Sequence, residues 1–352
     1  MKILFTHEVF PPDIAGGGEK LVLKLAQHLI EQGHSVKVVC SGNPKIKKYE
    51  GVETVRIPAN RYLMNILALP TILKHAWDAD IIQTSSGNMC FPSYIAARLL
   101  GKPICCWVHH IFGKYWRDIR GPVLGRIFEI GERLYLTRKF DSYVFQNKSS
   151  KQIGTEIGVP PEKMTIIQPG IDRKKFALRG TIKRGKNVLF VGNFSMDIPT
   201  IKTKGIKYLI EAAEMVPDIK FILVGRFKEK IKHPKNVSMA GVVSAKKLVR
   251  LYNTTGVFVC SSLNEGFSLA LLEAMATGCA IVSTIDIGQS GKKVGCKSGK
   301  ALADAIRYYI KNPVKAKSEG NKNKKLARRY NWSKFYERFE KLYKNLNKYP
   351  NK

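Results

Sequence analysis

What constrains this chain most is an alternation that runs along it and then starts again. Short apolar, β-rich runs alternate with stretches of helical period. Residues 2–6 read as a buried strand. A loop rich in Pro and Gly follows, Pro11-Pro12-Asp13-Ile14-Ala15-Gly16-Gly17-Gly18. A helix is expected over 19–32, with Leu21, Leu25, Ala26 and Leu29 on one face and Gly33 as its C-terminal cap. Residues 35–40, 52–57, 80–84, 103–109, 142–146 and 164–168 read as further strands. The pattern then restarts. Strands are expected over 187–192, 219–225, 257–261 and 279–284, with helices over 205–216, 245–252, 269–277 and 300–310. Strands separated by helices argue for parallel sheets covered on both faces. The expected fold class is therefore α/β, with two doubly wound Rossmann-like domains in succession. The boundaries fall at 1–172 and 187–330. Between them, 173–186 is basic and poor in apolar residues and reads as a linker. Residues 331–352 form an amphipathic helix. Its stripe of Trp332, Phe335, Tyr336, Phe339, Leu342, Tyr343 and Leu346 is expected to pack back on the first domain.

Charge narrows the partners. The chain has 352 residues, with 60 Lys and Arg against 27 Asp and Glu, a formal charge of +33. Such a field favours phosphates, anionic lipid surfaces or nucleic acid without choosing among them. No apolar run reaches the ~20 residues a membrane-spanning helix needs. The opening Met1-Lys2-Ile3-Leu4-Phe5-Thr6 turns polar at once, so no signal peptide is expected. The seven cysteines form no Cys-x-x-Cys pair and sit mostly in strand-like runs. A reducing cytoplasm is the expected location, without a disulfide framework or zinc site.

The most informative segment is 257–283. A strand leads into a tight loop containing Glu265, and then into a helix that is apolar on every side except for Glu273. A carboxylate buried without a partner costs several kcal/mol. Glu273 must therefore either point out of the helix or meet a dedicated polar partner. A helical eight-residue step would cover about 12 Å, so the two carboxylates could reach hydroxyls at separate points of one elongated ligand. Between them the amides of Gly266, Phe267, Ser268 and Leu269 form a helix N-terminus, which favours an anion. Polyol, diphosphate, polyol is the layout of a nucleotide sugar.

Glu265 and Glu273 resemble the paired glutamates of the family 4 glycosyltransferases, retaining enzymes of the GT-B fold. The resemblance covers nearly the whole chain. Gly16-Gly17-Gly18 and Gly33-His34-Ser35-Val36 look like that family's start. Pro169-Gly170-Ile171-Asp172 looks like its marker at the end of the first domain, and Val191-Gly192 with Thr203-Lys204-Gly205 like the start of the second. Asn331-Trp332 resembles the opening of its last helix. The resemblance implies a metal-independent hexosyltransferase that needs no cofactor beyond the nucleotide sugar, which is itself a substrate. The first domain would take the acceptor and the second the donor. Glu265 would lie beside the donor sugar hydroxyls, Glu273 would hold the ribose and Lys204 would neutralise the diphosphate, approached by Gly17 and Gly18. The chain departs from the pattern after Val191-Gly192, where the family carries an Arg and this chain has Asn193. Arg226 or Lys202 is the expected substitute charge.

His109 and His110 end the strand expected over 103–109, where ligands of open α/β sheets bind. The resemblance puts a catalytic His here, near sugar or acceptor, and general-base chemistry is one role open to it. In retaining enzymes of this fold the donor's own phosphate is usually given that task. Asp78-Ala79-Asp80 is read as a surface turn rather than a metal motif. Residues 114–139 interleave Tyr115, Trp116, Phe128 and Tyr135 with Arg117, Arg120, Arg126, Arg133, Arg138 and Lys139, a mixture suited to an anionic membrane face. The expected partners are thus a nucleotide-sugar donor, a glycan or lipid-linked acceptor of cell-envelope or glycoconjugate synthesis and, peripherally, the inner face of the membrane. A sugar-nucleotide epimerase, a glycan phosphorylase and a non-catalytic basic binding protein are the alternatives. A phosphorylase is disfavoured by chain length, and nucleic-acid binding by the lack of any recognition motif.

Overall fold

A computed structural model describes residues 1–13, 16–176, 184–192, 200–227 and 231–348. The chain divides into two compact units. One comprises residues 1–113, 127–169 and 333–352, and the other 114–126 and 170–332.

The first unit holds eight strands: β1 Lys2–Val9, β2 Ser35–Ser41, β3 Lys48–Tyr49, β4 Val52–Ile57, β5 Ile81–Ser85, β6 Ile104–Trp107, β7 Ser142–Phe145 and β8 Met164–Ile166. Their order is β3-β4-β2-β1-β5-β6-β7-β8. Every pair is parallel except β3 with β4. The order reverses between β1 and β5, which is where such sheets open a crevice at their carboxyl ends. Fully buried strands explain the continuous apolar runs, Ile3, Leu4 and Phe5 among them. The two-residue β3 was not legible from periodicity, which needs more residues to register.

The second unit holds β9 Asn187–Val191, β10 Lys220–Val224, β11 Val237–Gly241, β12 Val257–Cys260, β13 Ala280–Ser283 and β14 Lys292–Lys293, in the order β11-β10-β9-β12-β13-β14. All are parallel, and the order reverses between β9 and β12. Two markers distant in sequence meet here. A Cβ on Gly170 would lie 2.3 Å from the Trp332 backbone nitrogen, so only glycine fits. Beside it the Ile171 N–H donates to the Tyr330 carbonyl at 3.3 Å. Residues 177–183 of the expected linker lie outside the described residues. Before them Arg173–Phe176 is a short helix, and after them the Arg184 guanidinium donates to the carbonyls of Tyr252, Thr255 and Thr277.

The helix Trp332–Lys348 buries Phe335, Phe339 and Tyr343. Phe339 lies 4.8 Å from the ring of Trp107 on β6, and the Tyr343 hydroxyl donates to Gln83 on β5 at 2.8 Å. On the helix Gly17–Glu31, His28 stacks on Tyr336 at 4.0 Å and pairs with Glu340 at 2.8 Å.

Candidate active site

In the second unit, the site is built where β9 and β12 diverge. β12 ends at Cys260, and the loop that follows enters the helix Leu269–Thr277. Ser268 caps that helix, its Oγ accepting from the Leu271 N–H, and Gly278 closes it in the left-handed conformation. Only the second half of the Glu265-to-Glu273 step is helical. Glu265 sits in the loop, and the amides of Gly266, Phe267, Ser268 and Leu269 form the turn into the helix.

Glu265 is 6% exposed. Its Oε1 accepts from Lys204 Nζ at 2.7 Å and from the Ser262 hydroxyl. Burial disfavours the charge of Lys204. The Glu265 carboxylate outweighs that effect and raises the lysine above its ordinary pKa. Lys202 and Lys207 are exposed, whereas Lys204 turns inward. Its backbone is fixed by close approach. The Lys204 carbonyl accepts from Ser261 Oγ at 2.8 Å, and Leu263 N–H donates to the Thr203 carbonyl at 2.8 Å. Gly205 has φ +64°, and a Cβ there would lie 2.0 Å from the Ser261 carbonyl oxygen. The Thr-Lys-Gly triplet is therefore a backbone requirement as much as a side-chain one.

Glu273 is half-buried. The sequence demanded a polar partner or an outward turn, and the structure supplies the partner, with the Tyr252 hydroxyl donating to its Oε2 at 2.8 Å. Tyr252 was not foreseen, because it lies on another helix, Ala245–Thr254. Arg226 follows β10 and is exposed. It lines a recess of about 610 Å³ with Phe227, Ile231, His233, Met239 and Val242, at the carboxyl ends of β10 and β11. Asn193 lies outside the described residues.

The first unit gathers a second cluster at the carboxyl ends of β1, β5 and β6. Gly17 and Gly18 open the helix Gly17–Glu31, and a Cβ on Gly18 would lie 3.4 Å from His109 Nδ1. His109 is 7% exposed, between Trp107 (4.4 Å between rings) and His7 (5.4 Å). Burial, with His7 and His110 nearby, holds its pKa well below the ordinary range, so the ring is neutral. The Gln146 amide donates to Nδ1 at 3.3 Å. An Nδ1 that accepts leaves the ring proton on Nε2. That Nε2 is buried and has no hydrogen-bond partner among the described residues, so His109 presents an N–H donor. His110 is exposed, parallel to the Phe112 ring at 5.8 Å.

Sequence reasoning missed the rest of this cluster. His7 Nδ1 meets Ser85 Oγ at 2.6 Å, and burial, with Arg61 nearby, pushes its pKa down to about 3. Glu8 pairs with Arg61 and accepts from the Asn88 N–H at 2.6 Å. Glu19 is buried at the helix head, and that burial raises its pKa against the pull of the backbone N–H groups of Glu19 and Gly16. A charged residue just behind a Gly-rich turn was the one available signal. Asp78 and Asp80 are surface groups, tied to Lys2 Nζ at 3.3 Å and to its backbone N–H at 2.7 Å. Among the described residues no cluster of three or more His, Cys, Asp or Glu is placed to hold a metal.

Paired carboxylates, an inward lysine and a helix head thus stand together at the switch point of a doubly wound sheet, where such folds open a crevice. Comparison with known proteins gives the family. The sequence profile of Glycosyltransferase Family 4 matches residues 15–175, and that of Glycosyl transferases group 1 matches 185–312. Phosphatidyl-myo-inositol mannosyltransferase of Mycobacterium leprae is 24% identical, over 95% of this chain and 94% of that one. A UDP-Gal:alpha-D-GlcNAc-diphosphoundecaprenol alpha-1,3-galactosyltransferase of Escherichia coli is also 24% identical, over 81% of this chain and 80% of that one. Among solved structures, Anabaena Alr3699/HepE in complex with UDP-glucose superposes with a TM-score of 0.77 at 17% identity, covering 98% of this chain and 100% of the other. The chain belongs to glycosyltransferase family 4: it is a retaining hexosyltransferase of the GT-B fold that uses a nucleotide-sugar donor.

Proposed function

We propose that this enzyme moves a hexose from a nucleoside-diphosphate sugar to a lipid-linked acceptor at an anionic membrane face. The observation that carries the donor half is the buried Lys204–Glu265 pair at the head of the helix Leu269–Thr277. In this reading Lys204 and the amides of Gly266, Phe267, Ser268 and Leu269 stabilise the diphosphate as the glycosidic C–O bond breaks. Glu265 accepts from hydroxyls of the donor sugar, and Glu273 accepts from the ribose. Arg226 supplies positive charge at the recess beyond β10, in place of the family's missing arginine. In the first unit, His109 donates from Nε2 to an oxygen of donor or acceptor and does not serve as a base. Gly17 and Gly18 keep the helix head free of side chains, and His110 is the second histidine within reach of the acceptor.

Two observations support the acceptor half. The M. leprae and E. coli relatives carry names that specify lipid or diphosphoundecaprenol acceptors. The helix Pro122–Leu136 exposes Val123, Leu124, Ile127, Ile130 and Leu134 beside arginines such as Arg126 and Arg133. Exposed apolar side chains framed by arginine suit an interfacial position on anionic lipid. No helix among the described residues is long and apolar enough to cross a membrane.

Transfer of labelled sugar from a panel of nucleotide sugars to lipid-diphosphate acceptors tests the activity. Glu265→Ala is expected to abolish transfer while leaving the fold intact, and unimpaired transfer would sink the site. Co-sedimentation with anionic and neutral vesicles tests the surface. Binding is expected only to anionic vesicles and is expected to fall about tenfold in Ile127→Glu/Ile130→Glu. Equal binding to both vesicle types would remove the membrane from the account.

A further inference from the structure

Glu273 is one long, flexible side chain on an otherwise apolar helix, and a ribose contact requires it to stand in one place. Its partner is unusually well fixed. Tyr252 has no solvent exposure. Its ring lies between Phe176 (6.1 Å, 78°) and Phe258 (5.8 Å, 40°). Its backbone is held as firmly, because the Tyr252 carbonyl accepts from Arg184 Nη1 at 2.9 Å and from the Cys279 thiol at 3.2 Å. A fully buried ring packed against two phenylalanines and anchored at its carbonyl holds its hydroxyl in place, 2.8 Å from Glu273 Oε2. Burial and the neighbouring carboxylate both disfavour loss of the phenolic proton, so the group is a permanent donor. An O–H bond to a carboxylate is charge-assisted and directional.

We propose that Tyr252 is a positioning residue for nucleotide binding. Its hydroxyl fixes the plane of the Glu273 carboxylate before the donor arrives, so that the vicinal ribose hydroxyls meet an acceptor already in register. The proposal rests on the ribose reading of Glu273. Tyr252 does not touch the ligand. It acts by removing the rotational freedom that binding would otherwise have to freeze. Arg184, which bonds carbonyls at the C-terminal ends of the helices carrying Tyr252 and Glu273, holds the two elements in the same frame.

The test is calorimetric titration of the full chain with uridine, guanosine and adenosine diphosphates. The tightest of these is carried forward to Tyr252→Phe, Glu273→Ala and the double variant, with its 2′,3′-dideoxy analogue as a control. Tyr252→Phe is expected to weaken binding about tenfold and to raise the donor KM similarly, with kcat within about twofold. It should have no effect on the dideoxy analogue or in the Glu273→Ala background. The thermal midpoint of each ligand-free variant separates folding from binding. If Tyr252→Phe lowers the midpoint and leaves nucleotide affinity unchanged, Tyr252 is packing alone and the proposal is wrong. An equal penalty with and without Glu273 also overturns it. Unchanged affinity in Glu273→Ala would instead remove the ribose reading, and the proposal with it.

Discussion

The two units use the same location, the carboxyl ends of a parallel sheet where its order reverses, and arrange charge there in opposite ways. In the second unit the charged and phenolic groups are matched within the protein, Lys204 with Glu265 and Tyr252 with Glu273. In the first, His109 is neutral and keeps a buried Nε2–H without a partner among the described residues. The difference is one of preorganisation. A matched pair costs little to bury and must exchange partners when a charged ligand arrives. An orphan donor has already lost its water and gains a full hydrogen bond from the ligand.

The largest effect should come from separating the matched pair. Lys204→Ala removes the ammonium that pairs with Glu265 at 2.7 Å, and kcat/KM for the donor is expected to fall about a thousandfold. Lys204→Ala/Glu265→Ala should lose far less than the product of the two single losses, as residues acting as a unit do. Additive losses would mean that the pair is incidental.

Changing which proton the orphan carries should matter less. In Gln146→Glu a carboxylate takes the Nδ1–H and leaves a lone pair on Nε2. Turnover should drop about ten- to a hundredfold, and nitrogen NMR of the histidine rings should report the exchanged tautomer. A gain in turnover would make His109 a base after all.

A separate effect lies in stability rather than in turnover. The folded state holds His7 at about 3 and His109 well below the ordinary value, while both take up protons near 6.5 when unfolded. The unfolded chain therefore binds more protons below that pH. The stability that the neutral rings contribute is complete above about 6.5 and is lost as pH falls, by about 1.4 kcal/mol per pH unit per histidine. Thermal midpoints between pH 7 and 5 should fall accordingly. A flat profile would place both rings in water.

The same contrast explains what was legible. Glu265, the helix head and Glu273 lie within one short stretch, so local periodicity and a single buried-charge argument exposed them together. The first unit's cluster draws His7, Glu19, Arg61, Ser85, His109 and Gln146 from separate elements. Only tertiary structure says that Gln146 faces His109, because β6 and β7 are neighbours. Tyr252 was hidden for the same reason. It reads as one more apolar residue in a helix until β12 and the helix Leu269–Thr277 fold beside it. Most strands were readable because buried parallel strands are written as unbroken apolar runs, whereas β3 and β14 are too short to leave a signature and β11, an edge strand with only Val237 buried, has no such run.

The chain leaves the first unit after residue 169 and returns to it only at 333. Phe339 and Tyr343, which cover Trp107 and Gln83, are therefore made after every strand of both units. During synthesis the sheet begun first lacks these two contacts until the helix Trp332–Lys348 emerges. The later-coded unit has all its strands in hand before then. Vectorial synthesis ordinarily lets the leading domain finish first. Here that order is inverted, and a ribosome stalled near residue 330 would hold a second unit with all its strands made and a first unit still missing its covering helix.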